Sequence, residues 1–178
     1  TLDIEKICAL HGPVLSENLA HYLDLYNKWS SYTPEKDGVM IAYASIYGNT
    51  KKAAELLYDK LKAKNVDVII TDLARCDMSK AISDAFAYGK LVLATPTYNA
   101  DVFPFMRTFI EGLTERNYQK RTVAFIENGA WAPMAAKVMA GMFEKSKELN
   151  ILDKTVKITC ALNDASAAQI DELAEELA

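Results

Sequence analysis

From residue 39 onward, short apolar runs alternate with longer segments in which apolar residues recur every three or four positions. The short runs predict buried strands, and the longer spacing predicts amphipathic helices. The predicted strands are Val39–Ala44, Val66–Ile70, Leu91–Ala94, Val123–Ile126 and Val156–Leu162. The predicted helices begin directly after Thr50, at Ala81, near Pro104, at Pro133 and at Ala165.

Strict alternation of strands and helices predicts an α/β fold, in which a parallel sheet is covered by helices on both faces. The runs that start at Val39, Leu91 and Val123 are continuously apolar, so these strands should be central. The runs at Val66 and Val156 are shorter or interrupted by charge, so they should be edges. The predicted strand order is therefore 2-1-3-4-5, the flavodoxin-like doubly wound five-stranded sheet. Its ligand crevice lies at the carboxyl ends of strands 1 and 3.

Residues 1–37 differ from this pattern and predict an N-terminal arm that contains a helix. Leu2, Ile4 and Ile7 alternate and predict a short strand, which the segment His11–Pro13 ends. Ser16 is placed to cap a helix that continues through Trp29. Residues 30–38 are typical of a linker. The arm is too short for a core of its own, so the second unit, residues 38–178, is the predicted domain.

The composition limits the classes of partner. Apolar residues make up 51% of the chain, and a net charge of −4 argues against nucleic acid, which requires clustered lysine and arginine. There is no apolar run of about 18 residues, so no membrane span is expected. Cys8, Cys76 and Cys160 lack metal-site spacing and indicate reduced thiols in a cytoplasmic protein, with Cys160 in the core. Because the chain lacks an initiating Met, we expect a processed or excised piece.

The segment between the first predicted strand and its helix has the character of a phosphate site. The first N–H groups of a helix have no intrahelical partner, and the helix dipole makes that end partly positive. Hydroxyl and amide side chains add donors, and a glycine allows close approach. The same segment could instead serve as an ordinary helix cap. The candidate binding residues here are Ser45, Ile46, Tyr47, Gly48, Asn49 and Thr50.

The other two central strands also end in unusual loops, and in this topology all three loops meet at one edge. Tyr98 and Trp131 each bring an aromatic side chain, and contact with a ligand is the favoured interpretation. The alternatives are a surface aromatic for Tyr98 and packing against the neighbouring helix for Trp131. A phosphate joined to a flat aromatic system would fit such a site, and flavin mononucleotide (FMN) is the obvious candidate. The further candidate residues are Thr95, Pro96, Thr97, Tyr98, Asn99, Asn128, Gly129, Ala130 and Trp131.

Over its full length the chain resembles the C-terminal part of flavodiiron proteins, in which a diiron domain precedes a flavodoxin-like FMN domain. The segment His11–Pro13 resembles the one that closes the diiron domain, and Tyr26–Ser30 resembles the joint between the domains. The segment Ser45–Thr50, with an aromatic before its glycine, resembles the phosphate loop of this family, and Thr95–Asn99 is similar to its second loop. The family has a serine-aromatic-Gly-Trp turn where this chain has Asn128–Trp131, so that loop should hold the ring differently.

The resemblance implies an FMN electron-transfer domain. It would accept electrons from a rubredoxin-like or flavin reductase donor and pass them to a diiron centre that reduces dioxygen or nitric oxide. That centre would lie outside this chain, because its histidines, His11 and His21, cannot form a diiron site alone. No catalytic or metal residue is therefore assigned. The family also implies a head-to-tail homodimer.

Two alternatives within the fold are a stand-alone flavodoxin-type carrier and an NAD(P)H:quinone reductase. A receiver-like signalling module requires clustered aspartates where this chain has Ser45 and Thr95. A nucleotide hydrolase requires a G-x-x-x-x-G-K-[ST] segment, which is absent from the sequence. The sequence therefore favours an electron carrier over both of these classes.

Overall fold

The computed structural model describes residues 3–178. The helices of these residues are α1 (Leu19–Ser31), α2 (Asn49–Ala63), α3 (Met78–Ala87), α4 (Pro104–Thr114), α5 (Ala135–Met142) and α6 (Asp164–Leu177). The strands are β1 (Ile7–Cys8), β2 (Val14–Leu15), β3 (Lys36–Tyr43), β4 (Val68–Asp72), β5 (Tyr88–Tyr98), β6 (Asp101–Val102), β7 (Thr122–Asn128), β8 (Asn150–Ile151) and β9 (Val156–Ile158).

The main sheet has the order β4-β3-β5-β7-β8, and these strands pair in parallel. Strand β9 continues along β7 beyond β8, while the short β6 pairs antiparallel with the end of β5. The α/β class, the parallel sheet and the strand order 2-1-3-4-5 predicted from the apolar runs are confirmed. The three central strands are those that had continuously apolar sequences, because only central strands lose solvent from both faces.

Successive residues of the central strands point to opposite faces and form two cores. Met40 and Leu91 contribute to the face that is covered by α3, α4 and α5. Ile41 and Val92 contribute to the opposite face, which is covered by α2 and α6. Every one of these four side chains is completely buried. Polar groups that need solvent or a ligand are therefore confined to the ends of the strands.

The final strand departs from the prediction of one continuous segment at 156–162. Instead, β8 pairs with the start of β7 and β9 pairs with its end, with residues 152–155 between them. After β9 the chain turns tightly, because Ala161 N donates to the carbonyl of Thr159 at 2.9 Å. Cys160 occupies this turn with a φ of 65° and is exposed. The prediction that Cys160 lies in the core is therefore wrong.

Other elements begin a few residues from their predicted starts. Helix α3 starts at Met78 and not at Ala81, because the Asp77 carboxylate accepts the N–H of Ser79 at 2.8 Å and caps it. Strand β4 starts two residues late, since the left-handed backbone of Asn65 ends the turn after α2. These shifts leave the topology unchanged.

The arm contains a small hairpin and one helix. Strands β1 and β2 pair antiparallel across the segment His11–Pro13, whereas the predicted strand residue Leu2 lies outside the described residues. Helix α1 follows Asn18 and not Ser16, and it continues to Ser31. No residue of α1 is buried.

Arg121 joins the arm to the amino ends of the central strands. Its side chain is only 3% exposed, and its Nε donates to the Tyr88 carbonyl at 2.9 Å. Its two terminal nitrogens donate to the carbonyls of Tyr32, in the arm, and Phe86, at the end of α3. Burial lowers the pKa of this guanidinium, but arginine stays protonated at neutral pH. One side chain therefore satisfies buried backbone acceptors from three parts of the chain.

We predict that Arg121→Met lowers the free energy of unfolding by about 3 kcal/mol, because several buried carbonyls lose their donor at once. Urea denaturation followed by circular dichroism measures this change. The matched control is Lys120→Met, which also removes a bond to an arm carbonyl, that of Ser31 at 3.0 Å, but at an exposed site. The control should change stability by less than about 0.5 kcal/mol. Equal losses in the two variants would contradict the role assigned to Arg121.

Candidate functional site

The carboxyl ends of β3, β5 and β7 bring the three predicted loops to one edge of the sheet, around a cavity of about 260 Å³. Each loop contributes to the cavity wall, as the parallel topology requires. The lining residues are Ser45, Ile46, Tyr47, Asn49, Thr50, Pro96, Thr97, Asn128, Gly129, Ala130 and Cys160. All of them except Cys160 are among the candidates named from the sequence.

The amino end of α2 opens on this cavity without a side-chain cap. Gly48 precedes the helix with a φ of 85°, and its N–H donates to Ser45 Oγ at 3.1 Å. Among the described residues no acceptor receives the N–H groups of Asn49, Thr50 or Lys51, and the first turn holds no carboxylate. Free donors and the positive end of the helix dipole make this a site for an anion.

At three of the other helices, α3, α5 and α6, side chains accept from the first N–H groups. Asp77 caps α3, and the Asn163 side chain accepts the N–H of Ser166 at the start of α6. At the start of α5, Thr97 Oγ1 accepts from Met134 N at 3.0 Å, and Glu127 accepts from Ala136 N at 3.0 Å. Helices α1 and α4 also begin without a side-chain cap, but neither lines the crevice, whereas Asn49 and Thr50 of α2 do.

The third loop is fixed to its neighbours by Asn128 and Gly129. The Asn128 amide nitrogen lies 3.3 Å from Thr50 Oγ1 and 3.1 Å from the carbonyl oxygen of Cys160. Gly129 N donates to the Ile158 carbonyl at 3.0 Å. A Cβ added at Gly129 would lie 3.2 Å from Pro133 Cβ, so a glycine permits this tight path. These contacts hold the first, third and last loops in one arrangement.

Five predicted residues lie outside the cavity lining. Thr95 is completely buried in the sheet, and Gly48 borders a neighbouring cavity. The Tyr98 ring meets Phe103 edge-on, with centroids 5.4 Å apart. Asn99 has a left-handed backbone and, with Ala100, forms the two-residue turn between β5 and β6. Trp131 is 88% exposed.

Cys160 enters the lining from a turn that sequence reasoning placed in a strand. Its backbone carbonyl accepts a hydrogen bond from the Asn128 amide at 3.1 Å. A positive φ at a residue other than glycine has no reliable sequence signal. The contact between Asn128 and this turn joins residues 32 positions apart and is visible only in the fold.

A second cavity, of about 300 Å³, lies on the other side of the phosphate loop and contains paired charges. Arg75 Nη1 is 2.8 Å from the Asp72 carboxylate, and the Tyr43 hydroxyl donates to that carboxylate at 3.3 Å. Burial and the negative charge of Asp72 raise the pKa of Tyr43 to about 12, so this phenol stays protonated at neutral pH.

A larger cavity, of about 700 Å³, is remote from the crevice. Thr114 and Glu115 line it at the carboxyl end of α4, and Lys145 and Lys147 line it after α5. Carboxyl ends of helices are partly negative, which disfavours a phosphate. Size alone therefore does not identify the site, and the donor chemistry favours the smaller crevice.

The donor set of the crevice fits the phosphate group of FMN. The unpaired backbone N–H groups at the start of α2 and the Thr50 side chain border the crevice, whose walls are largely apolar. Residues 3–178 contain no group of three or more histidine, cysteine, aspartate or glutamate side chains arranged to hold a metal ion. None of the helices in this range combines the length and the apolar character needed to cross a membrane.

Comparison with known proteins gives a consistent result. Residues 41–172 match the family described as Flavodoxin. An uncharacterized protein of Methanocaldococcus jannaschii is 31% identical over 99% of this chain, which covers 45% of that protein. The anaerobic nitric oxide reductase flavorubredoxin of an Enterobacter species is 28% identical over 72% of this chain, which covers 27% of it. The chain thus spans less than half the length of these relatives.

Among solved structures, the flavodiiron protein of Giardia intestinalis superposes with a TM-score of 0.89 at 16% identity. The superposition includes 99% of this chain and 44% of that one. At this identity the likeness establishes a shared fold. It extends through the arm, whereas the flavodoxin match begins at residue 41.

We predict that Gly48→Ala lowers the free energy of unfolding by about 1–2 kcal/mol, since an L-residue is strained at a φ of 85°. No atom lies within 4 Å of the added Cβ, so the loss would come from the backbone and not from a clash. The matched control is Gly141→Ala in α5, where the Cβ also meets no atom within 4 Å. This control should raise stability, by up to about 1 kcal/mol, in urea titrations. A Gly48→Ala protein with the same free energy of unfolding as the wild-type protein would contradict the strained conformation.

Proposed function

We propose that this chain, which belongs to the flavodoxin family, whose cofactor is FMN, is an FMN-binding electron-transfer domain. It would serve a diiron centre that reduces oxygen or nitric oxide and lies outside residues 1–178. The observation that carries the proposal is the uncapped amino end of α2 at the crevice. Its free N–H groups and the Thr50 hydroxyl would hold the phosphate. The ring would lie between the second and third loops, with Tyr98 and Trp131 beside it.

The role proposed for this chain is to bind and orient the cofactor and to limit its contact with water. FMN supplies the capacity to accept and release electrons. The proposal includes no catalytic residue and no metal ligand in this chain, and it assigns oxygen or nitric oxide chemistry to a separate diiron domain. The relative named as a nitric oxide reductase flavorubredoxin supports that assignment.

We propose that residues 1–37 form the connection to such a domain and residues 38–178 the FMN domain. Exposed aromatic side chains on α1, Tyr26 at 67% and Trp29 at 57%, support an interface on the arm. Arg121 holds the arm at the amino ends of the strands, whereas the crevice lies at the carboxyl ends. Strand β5, with 11 residues, separates them by roughly 30 Å.

This separation supports a head-to-tail homodimer. A catalytic domain joined to the arm would begin at the far end of the sheet from its own crevice. A second copy of the protein, packed in the opposite orientation, would bring its catalytic domain to the crevice of the first copy. We propose a cytoplasmic protein that receives electrons from a rubredoxin-like or flavin reductase donor; the free thiols of Cys8, Cys76 and Cys160 agree with a reducing compartment.

We predict that the protein binds FMN and becomes yellow with the two-band flavin absorption spectrum. Titration of FMN with protein should quench the flavin fluorescence and give the Kd. Thr50→Ala should weaken binding by about 1–3 kcal/mol, because a hydroxyl donor to the phosphate is lost.

The matched control is Lys147→Ala, which removes a cation from the 700 Å³ cavity and should leave the Kd for FMN unchanged. A protein that stays colourless and does not quench FMN fluorescence would exclude the proposed function. If Lys147→Ala raised the Kd for FMN as much as Thr50→Ala does, the result would indicate that FMN does not bind in the crevice.

We also expect the FMN-loaded protein to oxidise NADH only slowly in the presence of a quinone, because a carrier depends on a docked redox partner for electron delivery. Rapid turnover, measured as loss of NADH absorbance, would instead favour the alternative of an NAD(P)H:quinone reductase. Adding a rubredoxin and its reductase should reduce the bound flavin. A stand-alone flavodoxin-type carrier would show the same reduction but no association with a diiron domain.

A further inference from the structure

We propose that Asn128 is a positioning residue that sets the direction of the Thr50 hydroxyl group. By donating to Thr50 Oγ1, it makes this hydroxyl donate its own proton into the crevice. The site then selects a flavin with a terminal phosphate over the same flavin without one. This inference rests on the proposed function, because it assigns ligand specificity to the same site.

The orientation of the Asn128 amide follows from the Cys160 carbonyl. A backbone carbonyl oxygen only accepts hydrogen bonds, so the amide group 3.1 Å away must present its NH₂ and not its oxygen. The same nitrogen lies 3.3 Å from Thr50 Oγ1. An NH₂ group has two hydrogens, which suffice for both acceptors. Exchange of the amide oxygen and nitrogen would place two acceptors face to face.

The Thr50 hydroxyl has one proton, and the contact with Asn128 leaves that proton free. Thr50 is 2% exposed, and among the described residues its hydroxyl has no acceptor. It lies in the first turn of α2 and lines the crevice. A buried donor without a partner is costly, and an acceptor-only phosphate group would satisfy it.

The carbonyl that orients Asn128 is itself held by the backbone. Cys160 lies in the tight turn that Ala161 N closes on the Thr159 carbonyl at 2.9 Å. Asn128 is 8% exposed, and the residue after it is bonded to Ile158, so both partners are fixed relative to β9. The direction of the proton at Thr50 is therefore determined by a chain of contacts that begins in the last loop.

The test compares Kd values for FMN and riboflavin, which share the ring but differ in the phosphate, by fluorescence quenching. Asn128→Asp keeps the shape of the side chain and replaces the donor to Thr50 with an acceptor, which would turn the hydroxyl away from the ligand. We expect the affinity for FMN to fall about 10- to 100-fold and that for riboflavin to change far less.

The control is Asn150→Asp, whose amide nitrogen also faces a threonine hydroxyl, Thr122 Oγ1 at 3.4 Å, but at the amino end of β7. It introduces the same charge, and it should leave both Kd values unchanged. If Asn128→Asp does not fold, as judged by circular dichroism, Asn128→Ala takes its place. We expect this variant to show the same selective loss of FMN to a smaller extent.

A double-mutant cycle separates hydroxyl orientation from repulsion between the new carboxylate and the phosphate. Thr50→Val removes the hydroxyl, so Asn128→Asp in that background should cause little further loss of FMN affinity. A full further loss would show repulsion alone and overturn the inference. Equal losses for FMN and riboflavin would also overturn it, since they indicate that Asn128 only holds the loops together.

The outcome for the wild-type protein distinguishes this inference from the proposed function. Binding of FMN by the wild-type protein with no selective effect of Asn128→Asp would overturn the inference and leave the proposed function intact. No binding of either flavin by the wild-type protein would overturn both.

Discussion

The structure depends on the burial of β3, β5 and β7 on both faces of the sheet. A strand without a solvent-facing side has no position for an unpaired polar side chain, because the desolvation of such a group is too costly. The hydrogen-bonding groups of these strands are used in the parallel ladders. Chemistry is therefore confined to the strand ends, and parallel pairing collects the carboxyl ends of all three strands at one edge.

This constraint explains why the helix termini are informative. Every helix has free N–H groups at its start, and at α3, α5 and α6 side chains from the chain itself accept from them. Helix α2 lacks such a cap where its start faces the cavity between the central loops. Helices α1 and α4 also lack a side-chain cap but lie away from this cavity, so it is the uncapped start of α2 together with the cavity that supports a phosphate site.

The sequence was sufficient for the fold class and strand order, because central strands must be continuously apolar whatever the details of their packing. The start of α3 could also have been found, since Asp77 is an ordinary capping residue. The turn at Cys160 could not, because its backbone conformation follows from contacts and not from residue type. The same applies to Arg121, whose acceptors are carbonyls that every residue possesses. For the site, the three loops were identifiable as groups, but the direction of each side chain within them was not.

Buried polar side chains join separate segments of the chain at each end of the sheet. At the amino ends, Arg121 donates to carbonyls of the arm and of the sheet, so the position of the arm depends on the same strands that form the core. At the carboxyl ends, Asn128 joins the third loop to the turn at Cys160, 32 residues away, and Glu127 holds the start of α5 through Ala136 N. A buried polar group is stable only when its partners are in place, so each of these residues couples one segment to another. The sheet therefore separates the arm, at its amino end, from the candidate anion site at its carboxyl end.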